Sequence, residues 1–247
     1  MLKTIINNQI NMEIKDKVII VTGASMGIGM AAAKELSKRG AKLVLAARSK
    51  DKINALAQEL TDSLAIETDM ENSESIKNMI SETIKKYGRI DVLINNAGRG
   101  LYGALENVDP SEYRKIIELN VIGPMIAMQE VIPHMRKQGG GTIVNISSMV
   151  SKMYYPHLSA YASTKYALNA LSMTSRSELE KDNIIVTLVH PTLTETNFGI
   201  NAVKSDAASQ NMQSRSREGM PAPDSAEDVV ALIVQSIETG KDEILAR

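Results

Sequence analysis

The sequence of 247 residues contains no cysteine and no tryptophan, and its formal net charge is only −1. A chain without cysteine forms no disulfide, which fits a reducing, intracellular compartment. A nearly neutral chain has no general attraction to nucleic acid or to an anionic membrane. No apolar run approaches the roughly 20 residues that cross a bilayer, and residues 1–11 lack the continuous apolar segment of a signal peptide. We therefore expect a cytoplasmic protein with neither nucleic acid nor membrane as a partner.

Aromatic residues are also scarce, at 3% of the chain, with a single phenylalanine. The apolar content of 43% still suffices for a large core, which aliphatic and methionine side chains must fill. A chain of this length can fold as one α/β domain. We predict that residues 12–247 form a single domain. Residues 1–11 are interpreted as a poorly ordered extension or as the product of an upstream start codon.

Short apolar, β-branched segments alternate with helical segments along the chain. Strands are predicted at residues 17–22, 42–47, 63–68, 91–94, 142–147, 184–189 and 243–246. Helices are predicted at residues 50–60, 73–87, 110–137, 159–181 and 228–237, after a first helix that ends at Arg39. This alternation predicts an α/β fold, a doubly wound parallel sheet (Rossmann fold) with helices on both faces. In such sheets, ligands bind beyond the carboxyl ends of the strands.

A glycine-rich turn follows the first predicted strand, and a helix begins directly after it. The turn is Gly23-Ala24-Ser25-Met26-Gly27-Ile28-Gly29. Glycines let a backbone approach a pyrophosphate closely, and a helix N-terminus offers free N–H groups. The spacing departs from the common G-x-G-x-x-G pattern, so a plain tight turn is the alternative.

Tyr161 and Lys165 lie four positions apart, on one face of a predicted helix, and Ser148 precedes them. A phenol has a reference pKa of about 10, and an ammonium about 4 Å away would lower that pKa toward neutrality. A nearby hydroxyl could hold a carbonyl or alcohol oxygen beside the phenol. These side chains suit the transfer of a proton to or from a C–O group.

Several motifs in one order extend this interpretation. They are T-G-x-x-x-G-x-G from Thr22 to Gly29, N-N-A-G from Asn95 to Gly98, Asn120 in E-L-N-V-I-G, Ser148 in N-I-S-S-M, and the pair of Tyr161 and Lys165. With these motifs the chain resembles the short-chain dehydrogenase/reductase family, from about Met12 to its C-terminus. The resemblance implies an NAD(P)-dependent oxidoreductase that acts on CH–OH or C=O groups.

The resemblance also implies roles for four catalytic residues. Tyr161 exchanges the proton of the substrate oxygen, and Ser148 hydrogen-bonds that oxygen. Lys165 lowers the pKa of the tyrosine and binds the nicotinamide ribose. Asn120 holds a water that links Lys165 to solvent, although it is also compatible with a polar residue that bends its helix. Ser147 competes with Ser148 for the serine role, and the family spacing to Tyr161 favours Ser148.

The end of the second strand indicates which nucleotide binds. An acidic residue there would accept the ribose 2′-hydroxyl of NAD, but the sequence has Ala47 followed by Arg48. A guanidinium suits the 2′-phosphate, so NADP(H) is the predicted cofactor; the alternative is that Arg48 only begins a polar loop. Asp69 either meets the adenine or serves as an N-cap or loop acid. The resemblance adds further cofactor contacts at Gly23, Ser25, Gly27, Ile28, Gly29, Asn96, Ala97, Gly98, Tyr161, Lys165, Pro191 and Thr196.

The expected function is therefore hydride transfer between NADPH and a small carbonyl or alcohol substrate, with Tyr161 as general acid/base. A 3-oxoacyl-thioester reductase of the same family and a non-catalytic NADP-binding sensor or scaffold are the alternatives. The segment Gly23–Gly27 also reads G-x-S-x-G, the nucleophile elbow of hydrolases, with His190 downstream. In that fold several strands precede the elbow, whereas here it follows the first strand.

The substrate itself cannot be read from the sequence. Residues 193–223 form a long polar segment that we interpret as a lid closing over the substrate. Predicted pocket walls are Leu101, Tyr102, Met149, Met153, Tyr154 and Tyr155. His134, His157 and His190 lack metal-ligand spacing, so no metal site is expected. The amphipathic stretches 110–137 and 159–181 are candidate contacts with partner subunits, and the family resemblance implies a homodimer or homotetramer.

Overall fold

The computed structural model describes residues 12–192, 194, 198–199, 201–205 and 223–246. Residues 1–11 and most of the predicted lid lie outside this part of the chain. The strands are β1 (Val18–Thr22), β2 (Lys42–Ala47), β3 (Ser63–Glu67), β4 (Val92–Asn95), β5 (Leu101–Tyr102), β6 (Gly141–Ile146), β7 (Ile184–His190), β8 (Val203–Lys204) and β9 (Glu243–Leu245). The α-helices are α1 (Gly27–Lys38), α2 (Lys50–Glu59), α3 (Ser73–Tyr87), α4 (Pro110–Ile117), α5 (Gly123–Gln138), α6 (Ser159–Leu179) and α7 (Ala226–Thr239).

Seven of these strands form one parallel sheet in the order β3-β2-β1-β4-β6-β7-β9. The chain moves outward from β1 to β3, then returns to the other side of β1 at β4. This reversal makes the crevice in which doubly wound sheets bind ligands. The predicted α/β Rossmann fold is confirmed.

Helices cover both faces of the sheet because successive side chains of each strand point to opposite sides. In β1, Ile19 and Val21 join a core with residues of α1, α2 and α7. Ile20, between them, joins a second core with residues of α3 and α5. All three side chains are fully buried. Because helices pack against both faces of the sheet, a central strand such as β1 must be apolar along its whole length.

The predicted helix 110–137 is interrupted. Between α4 and α5, residues Glu118–Ile122 form a π-helical turn. Contrary to the expectation from sequence, the whole stretch Pro110–Gln138 is long and apolar enough to cross a membrane by length and composition. It packs instead as a core helix, with Ala127, Val131 and Met135 fully buried beneath the sheet. Core helices often have the same length and apolar content as membrane-spanning helices, so these two properties are weak evidence for a membrane span.

A small second sheet pairs β5 with β8 beside the main sheet. The sequence analysis missed both strands, since two residues are too few to show a strand period. Their pairing brings the chain around residue 203 alongside residue 101, at the edge of the ligand crevice.

Candidate active site

A cavity of about 580 Å³ lies beyond the carboxyl ends of the central strands. The predicted site residues on its wall are Gly23, Ser25, Gly27, Ile28, Arg48, Asp69, Asn96, Ala97, Gly98, Ser148, Tyr161, Lys165 and Pro191. Gly29 and Asn120 are not on the wall and lie behind it. Thr196 lies outside the described residues, so its predicted contact stays a prediction.

The glycine turn has the backbone that its sequence requires. Gly23 and Gly27 adopt the left-handed conformation, with φ of +68° and +55°, which side chains disfavour. A Cβ on Gly29 would collide with the Gly23 carbonyl oxygen and lie 2.6 Å from Asn96 Nδ2. At the start of α1, no side chain of the described residues caps the helix at Met26. The turn therefore leaves a close cradle with backbone N–H groups available, which fits a dinucleotide diphosphate.

Thr22 holds this turn against the N-N-A-G segment. Its hydroxyl donates to the Ile94 carbonyl over 3.1 Å and accepts from the backbone N–H groups of Asn96 and Ala97, at 3.0 and 3.1 Å. The Asn96 side chain in turn donates to the Thr22 carbonyl over 2.9 Å. The two motifs are thus one hydrogen-bonded unit, formed because β1 and β4 are neighbours.

The first turns of α6 bring Tyr161 and Lys165 into the same cavity as Ser148. Both α6 side chains are buried. The Ser148 hydroxyl is close enough to the Tyr161 phenol to lower its pKa. Lys165 Nζ lies 5.9 Å from the centre of the Tyr161 ring and donates to the Ile146 carbonyl over 2.9 Å. The predicted grouping of these three side chains is therefore present.

The expected effect of Lys165 on the tyrosine is wrong for the protein alone. Burial raises the pKa of Tyr161, with a smaller contribution from Tyr102, and the Ser148 hydroxyl acts in the opposite direction. Burial also lowers the pKa of Lys165 to about 8. Loss of solvent therefore dominates both groups. The Lys165 amine donates to a backbone carbonyl, and with a pKa of about 8 it loses its charge before the phenol ionises.

The two neighbouring serines have different surroundings. Ser147 donates its hydroxyl hydrogen to Asn169 Oδ1 over 2.6 Å, and its side chain is buried. Ser148 accepts from the Val150 N–H at 3.3 Å, and its hydroxyl acts on the pKa of the Tyr161 phenol. Of the two hydroxyls, that of Ser148 is the one beside the tyrosine, as the family spacing favoured.

Asn120 lies in the π-helical turn Glu118–Ile122, and its interpretation as a residue that bends the helix stays a prediction. Its Oδ1 accepts from the Arg99 N–H, and its Nδ2 donates to the Arg99 carbonyl, each over 3.0 Å. Nδ2 also donates to Thr164 Oγ1 over 3.1 Å. Asn120 therefore fixes the segment after Gly98 against α6. Its predicted hold on a water stays a prediction.

The end of β2 and the loop after β3 form the far end of the cavity. Arg48 is 62% exposed, and its Nη1 lies 3.7 Å from Glu71 Oε1. Asp69 Oδ1 accepts from the Glu71 N–H over 3.0 Å. The N-cap of α3 is Asn72, which accepts from the Ser75 N–H, so the N-cap alternative for Asp69 is wrong. Asp69 is a loop acid on the cavity wall, and its predicted contact with the adenine stays a prediction.

The other end of the cavity, around Tyr161, is apolar and aromatic. The rings of Tyr102 and Phe198 lie 6.5 and 5.7 Å from the Tyr161 ring, centre to centre. Of the predicted walls, Tyr102, Met149, Met153 and Tyr155 line the cavity. Tyr154 does not: it is 90% exposed and stacks on Tyr166. Leu101 is fully buried behind the wall.

The sequence analysis missed several cavity residues, among them Arg99, Val150, Leu158 and Asn201. Their positions depend on the path of loops, for which single residue types carry no signal. Within the described residues, no group of three His, Cys, Asp or Glu side chains is placed to hold a metal. The hydrolase interpretation is wrong, because His190 contacts Ser148, Ser151 and Glu243 rather than Ser25.

Comparison with known proteins agrees with this geometry. The model of the short chain dehydrogenase family matches residues 17–207. Dehydrogenase/reductase SDR family member 7B of Danio rerio is 32% identical over 244 residues, covering 94% of this chain and 78% of that protein.

Two solved structures, each 26% identical to this chain, show nucleotide-bound relatives of the same fold. One is 3-ketoacyl-(acyl-carrier-protein) reductase from Brucella melitensis complexed with NADH, with a TM-score of 0.84 and coverage of 94% of this chain and 98% of that one. The other is an alcohol dehydrogenase from Thermococcus sibiricus complexed with 5-hydroxy-NADP, with a TM-score of 0.81 and coverage of 94% and 97%. The chain is an oxidoreductase that belongs to the short-chain dehydrogenase/reductase family.

Proposed function

We propose that this protein is an NADPH-dependent reductase of carbonyl compounds and that Tyr161 is its general acid. The observation that carries the proposal is that Ser148, Tyr161 and the buried Lys165 line one cavity, with Lys165 Nζ 5.9 Å from the centre of the Tyr161 ring. This group shares one cavity with the glycine turn. A nucleotide held by the turn would therefore extend toward the phenol.

The glycine turn and the start of α1 would hold the cofactor diphosphate, and Asp69 lies where an adenine contact is expected. When bound there, NADPH would be the source of the hydride that reduces a carbonyl carbon. Arg48 favours NADPH, because its guanidinium stands at the cavity wall where Ala47 replaces an acidic residue. The relatives bind either nucleotide, so this preference rests on Arg48 alone.

The burial of Tyr161 keeps its phenol in the protonated form that a general acid requires. Because burial raises its pKa, the phenol keeps its proton at neutral pH. Ser148 can donate a hydrogen bond to the same carbonyl oxygen, which stabilises the negative charge that develops there. The Lys165 ammonium, close to the ring, adds positive charge on this side of the cavity. Together these groups could protonate and stabilise the oxygen of a carbonyl compound as it is reduced.

The cavity wall around Tyr161 also bears on the substrate. Tyr102, Met149, Met153, Leu158 and Phe198 provide apolar and aromatic surface. We infer a carbonyl compound with an apolar or aromatic substituent. A 3-oxoacyl thioester is the competing substrate class, named for the Brucella relative.

The test is a spectrophotometric screen of NADPH oxidation over an aryl aldehyde, an aryl ketone, an aliphatic ketone, a steroid ketone, a sugar and a 3-oxoacyl thioester. We expect turnover with at least one apolar carbonyl compound and a slower rate with NADH. If only the 3-oxoacyl thioester is reduced quickly, the substrate class is a 3-oxoacyl thioester rather than an apolar or aromatic carbonyl compound. Tight NADPH binding with no turnover of any compound would instead favour the sensor or scaffold function. The cytoplasmic location and the lack of nucleic-acid or membrane partners stay predictions from composition.

A further inference from the structure

His190 is a fully buried polar residue that the proposed chemistry does not use. It is the last residue of β7 and directly precedes Pro191, which lines the cavity. Its ring faces the short turn that follows β6, Met149–Ser151, of which Ser148 is the N-cap. A buried imidazole at this place must find hydrogen-bond partners or destabilise the fold.

The partners of Nδ1 are two oxygens of that turn. Nδ1 lies 3.4 Å from the Ser148 carbonyl oxygen and 3.3 Å from Ser151 Oγ. The single hydroxyl hydrogen of Ser151 goes to the Ser148 carbonyl at 2.6 Å, and its oxygen accepts from Asn169 Nδ2 at 2.9 Å. Both oxygens therefore act as acceptors toward the ring, and Nδ1 must carry the hydrogen.

The other ring nitrogen faces the edge strand β9. His190 Nε2 lies 3.2 Å from Glu243 Oε1, without hydrogen-bond geometry. The same oxygen is 2.7 Å from Nζ of Lys152, at the end of the Ser148 turn. Among the described residues, Glu243 and Lys152 are the charged groups that act on the ring, and burial lowers the pKa of His190. Burial favours the neutral ring, in which Nδ1 carries the hydrogen and Nε2 has no hydrogen-bond partner among the described residues.

We propose that His190 is a positioning residue for Ser148. It holds the backbone of the Ser148 turn directly and through Ser151, and Lys152 with Glu243 fastens the far end of the same turn to β9. The Ser148 hydroxyl is thereby kept in place on the cavity wall that it shares with Tyr161. This inference rests on the proposed function, which gives Ser148 its task at the substrate oxygen.

The kinetic test is a double-mutant cycle between His190→Leu and Ser148→Ala, with the panel compound that the wild type reduces fastest. Loss of a hydrogen bond at the turn should lower kcat about tenfold in H190L, with the Kd of NADPH within about twofold of the wild-type value. In the S148A background the same substitution should change kcat by less than about twofold, because the hydroxyl it positions is gone.

Two conservative variants separate positioning from general packing. The substitution His190→Asn keeps an amide donor near the place of Nδ1, whereas His190→Gln moves its donor toward the place of Nε2. We expect H190N to retain more of kcat than H190Q. Greater activity of H190Q, or an equal loss of kcat from H190L with and without Ser148, would overturn the proposal.

A second measurement needs no turnover, so it separates failure of this inference from failure of the proposed function. Hydrogen–deuterium exchange followed by mass spectrometry should show faster exchange of residues 147–152 in H190L than in the wild type. His134→Leu, a substitution on α5 outside the cavity wall, is the matched control and should leave this segment unchanged. Exchange in 147–152 that rises no more in H190L than in H134L would refute the inference.

Discussion

Lys165 is the residue whose burial has the clearest thermodynamic consequence. Its pKa falls from 10.5 to about 8 because burial removes the ammonium from water. Below about pH 8 the ammonium is charged in both the folded and the unfolded chain, and the full penalty of burying it is present. Between about pH 8 and pH 10.5 the unfolded chain holds more protons, so the stability contributed at this position rises with pH.

The comparison of wild type with Lys165→Met measures this effect. The free energy of unfolding of the variant should exceed that of the wild type by the largest amount near pH 7. That advantage should shrink by roughly 2–3 kcal/mol toward about pH 10. Loss of the bond to Ile146 affects both pH values alike. Urea denaturation at the two pH values checks the prediction, and a difference independent of pH would contradict it.

The proposed preference for NADPH over NADH depends on Arg48. Its replacement by alanine removes the guanidinium proposed to meet the 2′-phosphate, and charge-assisted bonds of this kind contribute about 1.5–3 kcal/mol. R48A should weaken NADPH binding by roughly ten- to a hundredfold and leave NADH binding within about threefold, as measured by titration calorimetry. Lys50→Ala is the control, since Lys50 pairs loosely with Glu67 and does not line the cavity. Equal weakening of both nucleotides would count against the NADPH preference.

Among the elements, the junction between the π-helical turn and α5 packs tightly against the loop that forms the far end of the cavity. A Cβ on Gly123 would lie against the Met70 carbonyl oxygen, beside Asp69. Gly123→Ala should therefore destabilise the fold by about 1–3 kcal/mol despite the better helix propensity of alanine. Chemical denaturation checks this, with Gln129→Ala on the exposed side of α5 as control. A G123A variant as stable as Q129A would show that the loop yields easily.

The boundaries of β2 and α3 match the residues predicted from sequence, since each has a strong hydrophobic period and clear end signals. The cradle, the catalytic grouping and their shared edge of the sheet also followed from motifs and alternation. The π-helical turn did not, because it requires one extra residue per turn that no period reveals. The pKa of Tyr161 also could not be foreseen, since it depends on how completely neighbouring side chains exclude water. Tyr154 was misplaced because nothing in its type distinguishes an inward from an outward loop residue.

For the molecule as a whole, the sheet order is what assembles the site. Segments more than a hundred residues apart, the glycine turn and the start of α6, reach one cavity because β1, β4 and β6 are consecutive strands of the sheet. Helices α4 and α6 are also linked, by a hydrogen bond of 2.8 Å between the hydroxyls of Tyr113 and Ser163. The site therefore depends on the complete sheet rather than on any local fragment.

Of the two helical stretches predicted to meet a partner subunit, the stretch 159–181 leaves an aromatic side chain exposed. Tyr166 on α6 is 38% exposed and stacks on Tyr154. We expect a homodimer or homotetramer, which multi-angle light scattering would report as two or four times the mass of one chain. A single-chain mass at micromolar concentration would contradict the expectation.

The central claim is that the Tyr161 phenol donates the proton that accompanies hydride transfer. The most direct test compares Tyr161→Phe with Tyr166→Phe, a matched loss of a hydroxyl from the same helix, by measuring kcat and the Kd of NADPH. We predict that Y161F lowers kcat at least about a hundredfold, with a Kd within about threefold of the wild-type value, while Y166F stays near wild type. A Y161F enzyme that retained most of its kcat would contradict the account.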